Sequence, residues 1–244
     1  RESMELIGKV AIVTGSSRGL GKAMALTFAR AGAAVVVAAR TEEPHPRIPG
    51  TVGQTVEEVR AAGGSAIGVR CDVTVDEHLR FLVERTLQEF GRVDILVHNA
   101  AALIPGGILD LSVRRWDVLW NVNVRPLFVL AREVIPFMQA QGGGHILDVA
   151  PALRLPDLVS TPAGGQNVGP GGGGLTGGLS KQWASQLAMT MARELAPHVI
   201  AVNCLTPAGP RNTEGMKLVA EQPHSFYQSR PSDPGTGSGY KANV

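Results

Sequence analysis

Apolar residues follow two periodicities along this chain, and the two alternate. Short runs rich in apolar residues predict strands: Val10-Ala11-Ile12-Val13, the buried run Ala34 to Ala39, Ser65 to Arg70, Val93 to His98, His145 to Val149 and Val199 to Leu205. Between them, apolar positions recur at helical spacing. Leu20, Ala23, Met24, Thr27, Phe28 and Ala31 form the first stripe, closed by Gly32. Val52, Val56 and Val59 mark a helix over residues 51–62, stopped by Gly63-Gly64. Leu79, Leu82, Val83, Thr86, Leu87 and Phe90 mark a third, capped by Thr74 or Asp76 and ended by Gly91. Ser112 to Asn121 and Val122 to Gln139 make two further segments. The second carries Val124, Leu127, Phe128, Ala131, Ile135 and Met138 on one face, with Pro136 placed to kink or end it. A last helix is expected over Lys181 to Leu195, with Trp183, Leu187, Met191 and Leu195 inward. Strands alternating with helices throughout imply an α/β domain with a parallel sheet covered on both faces.

The pattern lapses in three places. Pro44, Pro46 and Pro49 forbid a helix after the second strand, so Thr41 to Gly50 is a loop. Residues 151–178 lose all periodicity and are crowded with glycine, which makes them entropically expensive to order; a mobile loop is expected. Past Pro207 only a weak helix near 214–221 stands out, and residues 222–244 form an irregular tail. The 244 residues fit one domain spanning 1–244, with residues 1–3 an added segment ahead of a natural start at Met4. A composition 44% apolar and 18% charged, with net charge +2, excludes a disordered chain and a nucleic-acid surface. With no run of 18 apolar residues and no signal-peptide core, no membrane association is expected and a cytoplasmic location is. Cys71 and Cys204 are far apart and read as buried free thiols, and no metal site is expected. His98 and His145 read as hydrogen-bonded structural residues, because no carboxylate or cysteine cluster accompanies them in sequence.

Chemistry enters with Thr14-Gly15-Ser16-Ser17-Arg18-Gly19-Leu20-Gly21, set between the first strand and the first helix. A pyrophosphate is best held by free N–H groups at a helix N-terminus, and backbone can approach it only where Cβ atoms are missing. Gly15, Gly19 and Gly21 supply those gaps. In a strand–turn–helix–strand unit of about 30 residues they point to a dinucleotide cradle, the alternative being an ordinary tight turn.

With Cys71-Asp72-Val73, His98-Asn99-Ala100-Ala101, Asn123, Lys181 and Asn203 to Ala208 in place, the chain resembles the short-chain dehydrogenase/reductase family over nearly its full length. The segment from Thr41 to Gly64 and the run His145 to Pro151 resemble its hydroxysteroid-dehydrogenase-like branch. The resemblance implies a Rossmann-type doubly wound sheet in three layers, here with six strands because the usual last strand is missing. It implies a cofactor across the strand ends, contacted by Gly15, Ser17, Arg18, Gly19, Leu20 and Gly21. Asp72 and Val73 would face the adenine, Asn99, Ala100 and Ala101 the adenosine half, Lys181 the nicotinamide ribose, and Pro207 the nicotinamide. Arg40 and Arg18 stand where an NAD enzyme would place an acid, so NADP(H) is favoured over NAD(H). A homo-oligomer is expected, a dimer through the helices holding Leu127 and Trp183, while the missing last strand removes the family's usual route to a tetramer.

The resemblance fails where the family does its chemistry. Its Tyr-x-x-x-Lys pair places Gly177 before Lys181, and its serine falls at Ala150 or Pro151. Two readings of different class follow. One is an NADP(H)-dependent oxidoreductase interconverting a carbonyl and an alcohol on a small, lipid-like substrate. There, water held by Asn123 and Lys181, or a hydroxyl from Ser160, Thr161, Thr176 or Ser180, replaces the tyrosine. The other is a catalytically silent NADP(H)-binding subunit or sensor, and a site converted to other chemistry is a third possibility.

Overall fold

Runs such as Val10 to Val13 and Val35 to Ala39 have no polar residue to turn toward water, so they need cover on both faces. The sheet provides it. Strands β1 (Val10–Thr14), β2 (Ala34–Ala39), β3 (Ser65–Arg70), β4 (Ile95–His98), β5 (Gly144–Val149) and β6 (Ile200–Leu205) lie in the order β3-β2-β1-β4-β5-β6. Every pairing is parallel. Helices α1 (Gly19–Arg30), α2 (Val52–Ala61), α3 (Asp76–Phe90), α4 (Val113–Asn123), α5 (Arg125–Ala140) and α6 (Gly174–Leu195) connect and cover it. The computed structural model describes residues 5–46, 49–104, 109, 111–150 and 174–206, the side chains of 174–178 excepted. Segment 151–173, the expected helix at 214–221 and the tail at 222–244 lie outside the described residues.

Alternate residues of each strand serve opposite layers. Ala11, Val13, Val35 and Val37 pack with Ala25 and Ala29 of α1 and Val52, Val56 and Val59 of α2. Val10, Ile12, Val36 and Ala38 pack on the other side with Leu79 and Leu82 of α3, Leu127, Leu130, Val134 and Met138 of α5, and Ala184 and Ala188 of α6. At about 25 cal/mol per Å² of apolar surface removed from water, these two layers supply the main stabilisation. No helix among the described residues is long and apolar enough to cross a membrane.

Several boundaries differ from the sequence expectation, each for a local reason. Asp72, not a helix cap, claims Thr74: its Oδ1 accepts from Thr74 N at 3.0 Å and Thr74 Oγ1 at 2.8 Å. Helix α3 therefore starts behind Val75 with no side-chain cap, and Asp76 lies inside it. Pro136 does not end α5, which runs on to Ala140. Pro136 is exposed, so the carbonyl it leaves unpaired faces water, while buried Val134 and Met138 hold the helix down on either side. Phe128, expected inward, is exposed, and Leu130 and Val134 take its place. In α6 the buried stripe is Ala184, Ala188, Met191 and Leu195, with Trp183 at 53% exposure. That helix also starts at Gly174, so the backbone of 174–178 is helical where a loop was expected. Cys204 is exposed on β6, whereas Cys71 is buried as expected.

Candidate functional site

The strand order reverses about β1, which has β2 on one side and β4 on the other. At such a point the loops leaving adjacent strands part and open a crevice. The Thr14–Gly21 turn lies there. Gly15 turns with φ 66° and Gly19 with φ 57°, conformations open to glycine and strained for other residues. A Cβ at Gly21 would collide with the Gly15 carbonyl and the Asn99 amide. Arg18, the N-cap of α1, makes no side-chain cap, so no side chain from that position claims the first-turn N–H groups of the helix.

A threonine hydroxyl ties the two sides of the crevice together. Thr14 Oγ1 donates to the Val97 carbonyl at 3.2 Å and accepts from Asn99 N at 3.0 Å and Ala100 N at 3.1 Å. Asn99 Nδ2 then donates to the carbonyls of Thr14 at 2.8 Å and Gly15 at 3.2 Å. Asn99 and Ala100 are thus brought against the glycine turn, with Ala101 exposed beside them. Ser16 closes the rear: its hydroxyl donates to the Val13 carbonyl at 2.6 Å and accepts from Ala38 N at 3.0 Å. Ser17 is buried, and Leu20 is half-buried in the first turn of α1.

Arg18 in the glycine turn and Arg40 after β2 are held in different states. Arg18 binds the 41–50 loop through the Pro49 carbonyl at 3.0 Å, the Gly50 carbonyl at 2.8 Å and Thr41 Oγ1 at 3.0 Å. It thereby ties the glycine turn to both ends of that loop. The Arg40 guanidinium is 73% exposed, 3.8 Å from Asp72 Oδ2. Burial pushes the Asp72 carboxyl upward, but hydrogen bonds from Thr74 and the nearby Arg40 hold it below the ordinary carboxylate range. Val73 is buried behind it. An open cleft of about 560 Å³ runs beside the turn, between Arg18, Lys22, Gly50, Gln54 and Glu58, away from Lys181.

The other half of the crevice is held by Asn123, which is fully buried. Its Oδ1 accepts from Ala102 N at 2.8 Å, and its Nδ2 donates to the Ala102 carbonyl at 2.9 Å and to Ser180 Oγ at 2.8 Å. One amide therefore joins the segment after β4 to the first turns of α6, where Lys181 lies buried. Beneath Lys181 the structure brings in two residues that sequence reasoning did not assign to the site. Asp148 Oδ1 lies 2.7 Å from His98 Nδ1 and 3.9 Å from Lys181 Nζ. Burial pulls the Lys181 amine below its usual range, with Asp148 opposing the shift. His98 is also lowered, first by burial and then by Lys181. His98 is hydrogen-bonded, as expected, but its partner is a carboxylate 50 residues away, visible only once β4 and β5 pair His98 with Asp148.

The two positions expected to have lost a catalytic side chain are Ala150 or Pro151 and Gly177. Ala150 is buried beyond the end of β5, its side chain offers no donor, and its backbone N–H is spent on the Leu205 carbonyl at 3.0 Å. Gly177 sits in the helical backbone of α6 one turn before Lys181, where a side chain would share its face. Of the substitute hydroxyls, Ser180 is brought to the site. Ser160, Thr161 and Pro207 lie outside the described residues, as does the side chain of Thr176.

The residues present fit a dinucleotide on two observations: a cradle that any Cβ at Gly21 would fill, and a buried Lys181 Nζ with no hydrogen-bond partner among the described residues. A glycine cradle at the switch point of a 3-2-1-4-5-6 parallel sheet defines a Rossmann-type nucleotide-binding domain. The chain belongs to the short-chain dehydrogenase family, whose profile matches residues 9–155, and whose members are oxidoreductases that bind NAD(P)(H). Within it, the chain is similar to hydroxysteroid dehydrogenase-like protein 2, at 35% identity to the mouse protein and 34% to the human one. Those matches cover 88% of this chain but 41% and 48% of the relatives, so the chain spans under half their length. Among solved structures it resembles 7α-hydroxysteroid dehydrogenase complexed with NADH and 7-oxoglycochenodeoxycholic acid, at TM-score 0.74 and 32% identity over 89% of this chain and 77% of that one. A short-chain type dehydrogenase/reductase from Mycobacterium marinum matches at TM-score 0.74 and 31% identity over 90% of this chain and 80% of the other.

Proposed function

We propose that the protein is an NADP(H)-dependent oxidoreductase that interconverts a carbonyl and an alcohol through an altered proton-transfer site. The observation that carries this reading is the intact cradle: Thr14, Gly15, Gly21 and Asn99 interlock at the switch point although the tyrosine and serine positions are Gly177 and Ala150. The bound nicotinamide would supply or accept the hydride. Turn residues Gly15 to Gly21 would hold the pyrophosphate, Lys181 the ribose hydroxyls, and exposed Arg40 beside Thr41 a 2′-phosphate. Asn123 fixes Ser180, the nearest described hydroxyl to Lys181 in sequence, and either the Ser180 hydroxyl or a water held by Asn123 and Lys181 would deliver the proton. A well-placed acid is worth about 10²–10⁴-fold in rate, so turnover should be slow beside a relative that keeps its tyrosine. The relatives' names favour a lipid-like or steroid-like carbonyl as substrate.

A second reading, a silent NADP(H)-binding subunit, is favoured by the same two losses at Ala150 and Gly177. In either reading the protein self-associates through α4 and α6. There Trp116 and Trp120 meet edge-on and Trp120 and Trp183 at a tilt, each pair with ring centroids 6.0 Å apart and Trp183 half exposed; Leu127 itself is buried in the core, while Phe128 beside it leaves α5 an exposed apolar side chain.

Thermal unfolding with each nucleotide tests the reading, because a ligand of the native state stabilises it by about 2.7 kcal/mol at 100 times its Kd. An upward shift larger for NADPH than for NADH is expected, with slow NADPH oxidation on a panel of ketosteroids and long-chain ketones. A shift without oxidation would favour the silent subunit, and no shift with either nucleotide would overturn both.

A further inference from the structure

Across the C-terminal end of the sheet, neighbouring strands place three ionisable side chains in one row: His98 on β4, Asp148 on β5 and Cys204 on β6. Lys181 of α6 descends onto the middle of that row. His98, Asp148 and Lys181 are all buried, and the same oxygen, Asp148 Oδ1, faces both bases, at 2.7 Å and 3.9 Å. The second oxygen takes a 3.4 Å hydrogen bond from Ser185 Oγ. Two bases around one buried carboxylate is an unusual stoichiometry, since an uncompensated buried charge is costly and a compensated one is tolerated.

Elementary bonding rules then assign the protons. A carboxylate only accepts, so the His98 Nδ1 facing it carries hydrogen. His98 Nε2 makes no hydrogen bond of normal geometry among the described residues, and the Val122 backbone that bears on the ring is a poorly placed acceptor, so a hydrogen there would be weakly satisfied beside one on Nδ1. His98 is accordingly the neutral Nδ1–H tautomer, and the compensating positive charge belongs to Lys181. Burial pulls both bases down, and the neighbouring Lys181 lowers His98 further. The other groups around the cluster carry no compensating charge: Asn123 from α4 and Ser185 from α6 are neutral, and burial and Asp148 push the Cys204 thiol up, keeping it protonated.

We propose that His98, Asp148 and Lys181 form one unit that holds a single compensating proton for its single carboxylate, and that Asp148 is the positioning residue that keeps Lys181 charged at the nicotinamide ribose. The second clause rests on the dinucleotide reading; the first does not. The unit has a distinctive signature, because removing one base transfers the compensating charge to the other.

Nitrogen-15 NMR of the imidazoles in the full chain reads this directly, with His98 assigned by the signal lost in His98→Asn. In the wild type, His98 should remain the neutral Nδ1–H tautomer from pH 5 to pH 9. In Lys181→Met it should become imidazolium, with a midpoint at least one pH unit higher than in the wild type. A His98 response identical in the two proteins would overturn the unit. Should Lys181→Met fail to fold, Asp148→Asn with the same probe serves, because it preserves the shape and should release His98 from the single tautomer; an unchanged tautomer would overturn the unit.

The positioning role is read by NADPH fluorescence titration against pH. Asp148→Asn should weaken binding about tenfold at pH 7, because the amine loses the buried ion-pair partner that favours its charged form, and move the alkaline loss of affinity to lower pH. Profiles that superimpose would overturn the positioning role. A wild type that binds neither NADPH nor NADH at any pH would overturn the dinucleotide reading, and the imidazole spectra would still decide the unit.

Discussion

Thr14 and Gly21 show how little side-chain material builds the cradle. Thr14 contributes a single hydroxyl, yet that oxygen receives two backbone N–H groups from the β4 loop and donates to β4 itself. Gly21 contributes the absence of an atom, with the Gly15 carbonyl and Asn99 amide closing over its α-carbon. Gly21→Ala should therefore act as overpacking does, costing about 1–3 kcal/mol. The displaced Gly15 and Asn99 should also abolish stabilisation by NADPH. Urea unfolding with and without nucleotide separates the two effects, and a Gly21→Ala protein still stabilised by NADPH would show that the cofactor does not lie on this turn. Ser16 and Arg18 teach a related lesson. Both sit in the glycine turn, and the structure turns both inward to bind protein carbonyls.

At the scale of elements, the short loop before β4 holds the sheet's centre in register. The Asp94 carboxylate receives Val10 N at 2.9 Å at the start of β1, both sides of the Arg92 fork at 2.7 Å, and Lys9 Nζ at 3.3 Å. Burial pushes this carboxyl up, but the Arg92, Val10 and Lys9 contacts outweigh it and hold it below the usual range. A carboxyl lowered on folding contributes stability that is complete above its unfolded value, about 3.9, and is lost as pH falls through the lower folded value. The stability of the wild type should thus drop more steeply below pH 4 than that of Asp94→Asn, and Asp94→Asn should be weaker at pH 7 by about 1.5–3 kcal/mol. Urea melts from pH 7 to pH 2.5 would show this; parallel curves would assign the acid sensitivity elsewhere. The positions of β1 and β2 were legible in the sequence because a strand buried on both faces leaves an unbroken apolar run, whereas β3, an edge strand with alternate residues exposed, was marked instead by the glycine stop before it. Helix faces were less legible. Trp183 and Phe128 are apolar but sit outside, and small Ala184 and Ala188 lie inside because α6 packs close to β5 and β6. The cradle was legible because its glycines are adjacent in sequence. The His98–Asp148–Lys181 cluster was not, since its members come from three elements and meet only through strand register.

For the molecule as a whole, the unanswered surface is the α4–α6 seam. Trp116, Trp120 and Trp183 cluster edge-on and tilted with the last more than half in water, and tryptophan is the residue most enriched at the energetic centres of interfaces. Val113 on α4 and Met189 on α6 add exposed apolar area to the same two helices. A twofold contact would set each seam on its equivalent, and a stable one buries about 1,200–2,000 Å² in total. Trp183→Glu places a charge at that contact without touching the core, because α6 is anchored by Ala184, Ala188, Met191 and Leu195 on its other side. Sedimentation velocity should find the wild type dimeric and Trp183→Glu monomeric, with unfolding of the variant losing the concentration dependence that a dimer's stability carries. A dimer surviving Trp183→Glu would place the interface on another face. A monomeric wild type would leave the tryptophans as a surface for a different partner, and α6, which also carries Lys181 and Gly177, would then be the element to probe for that contact.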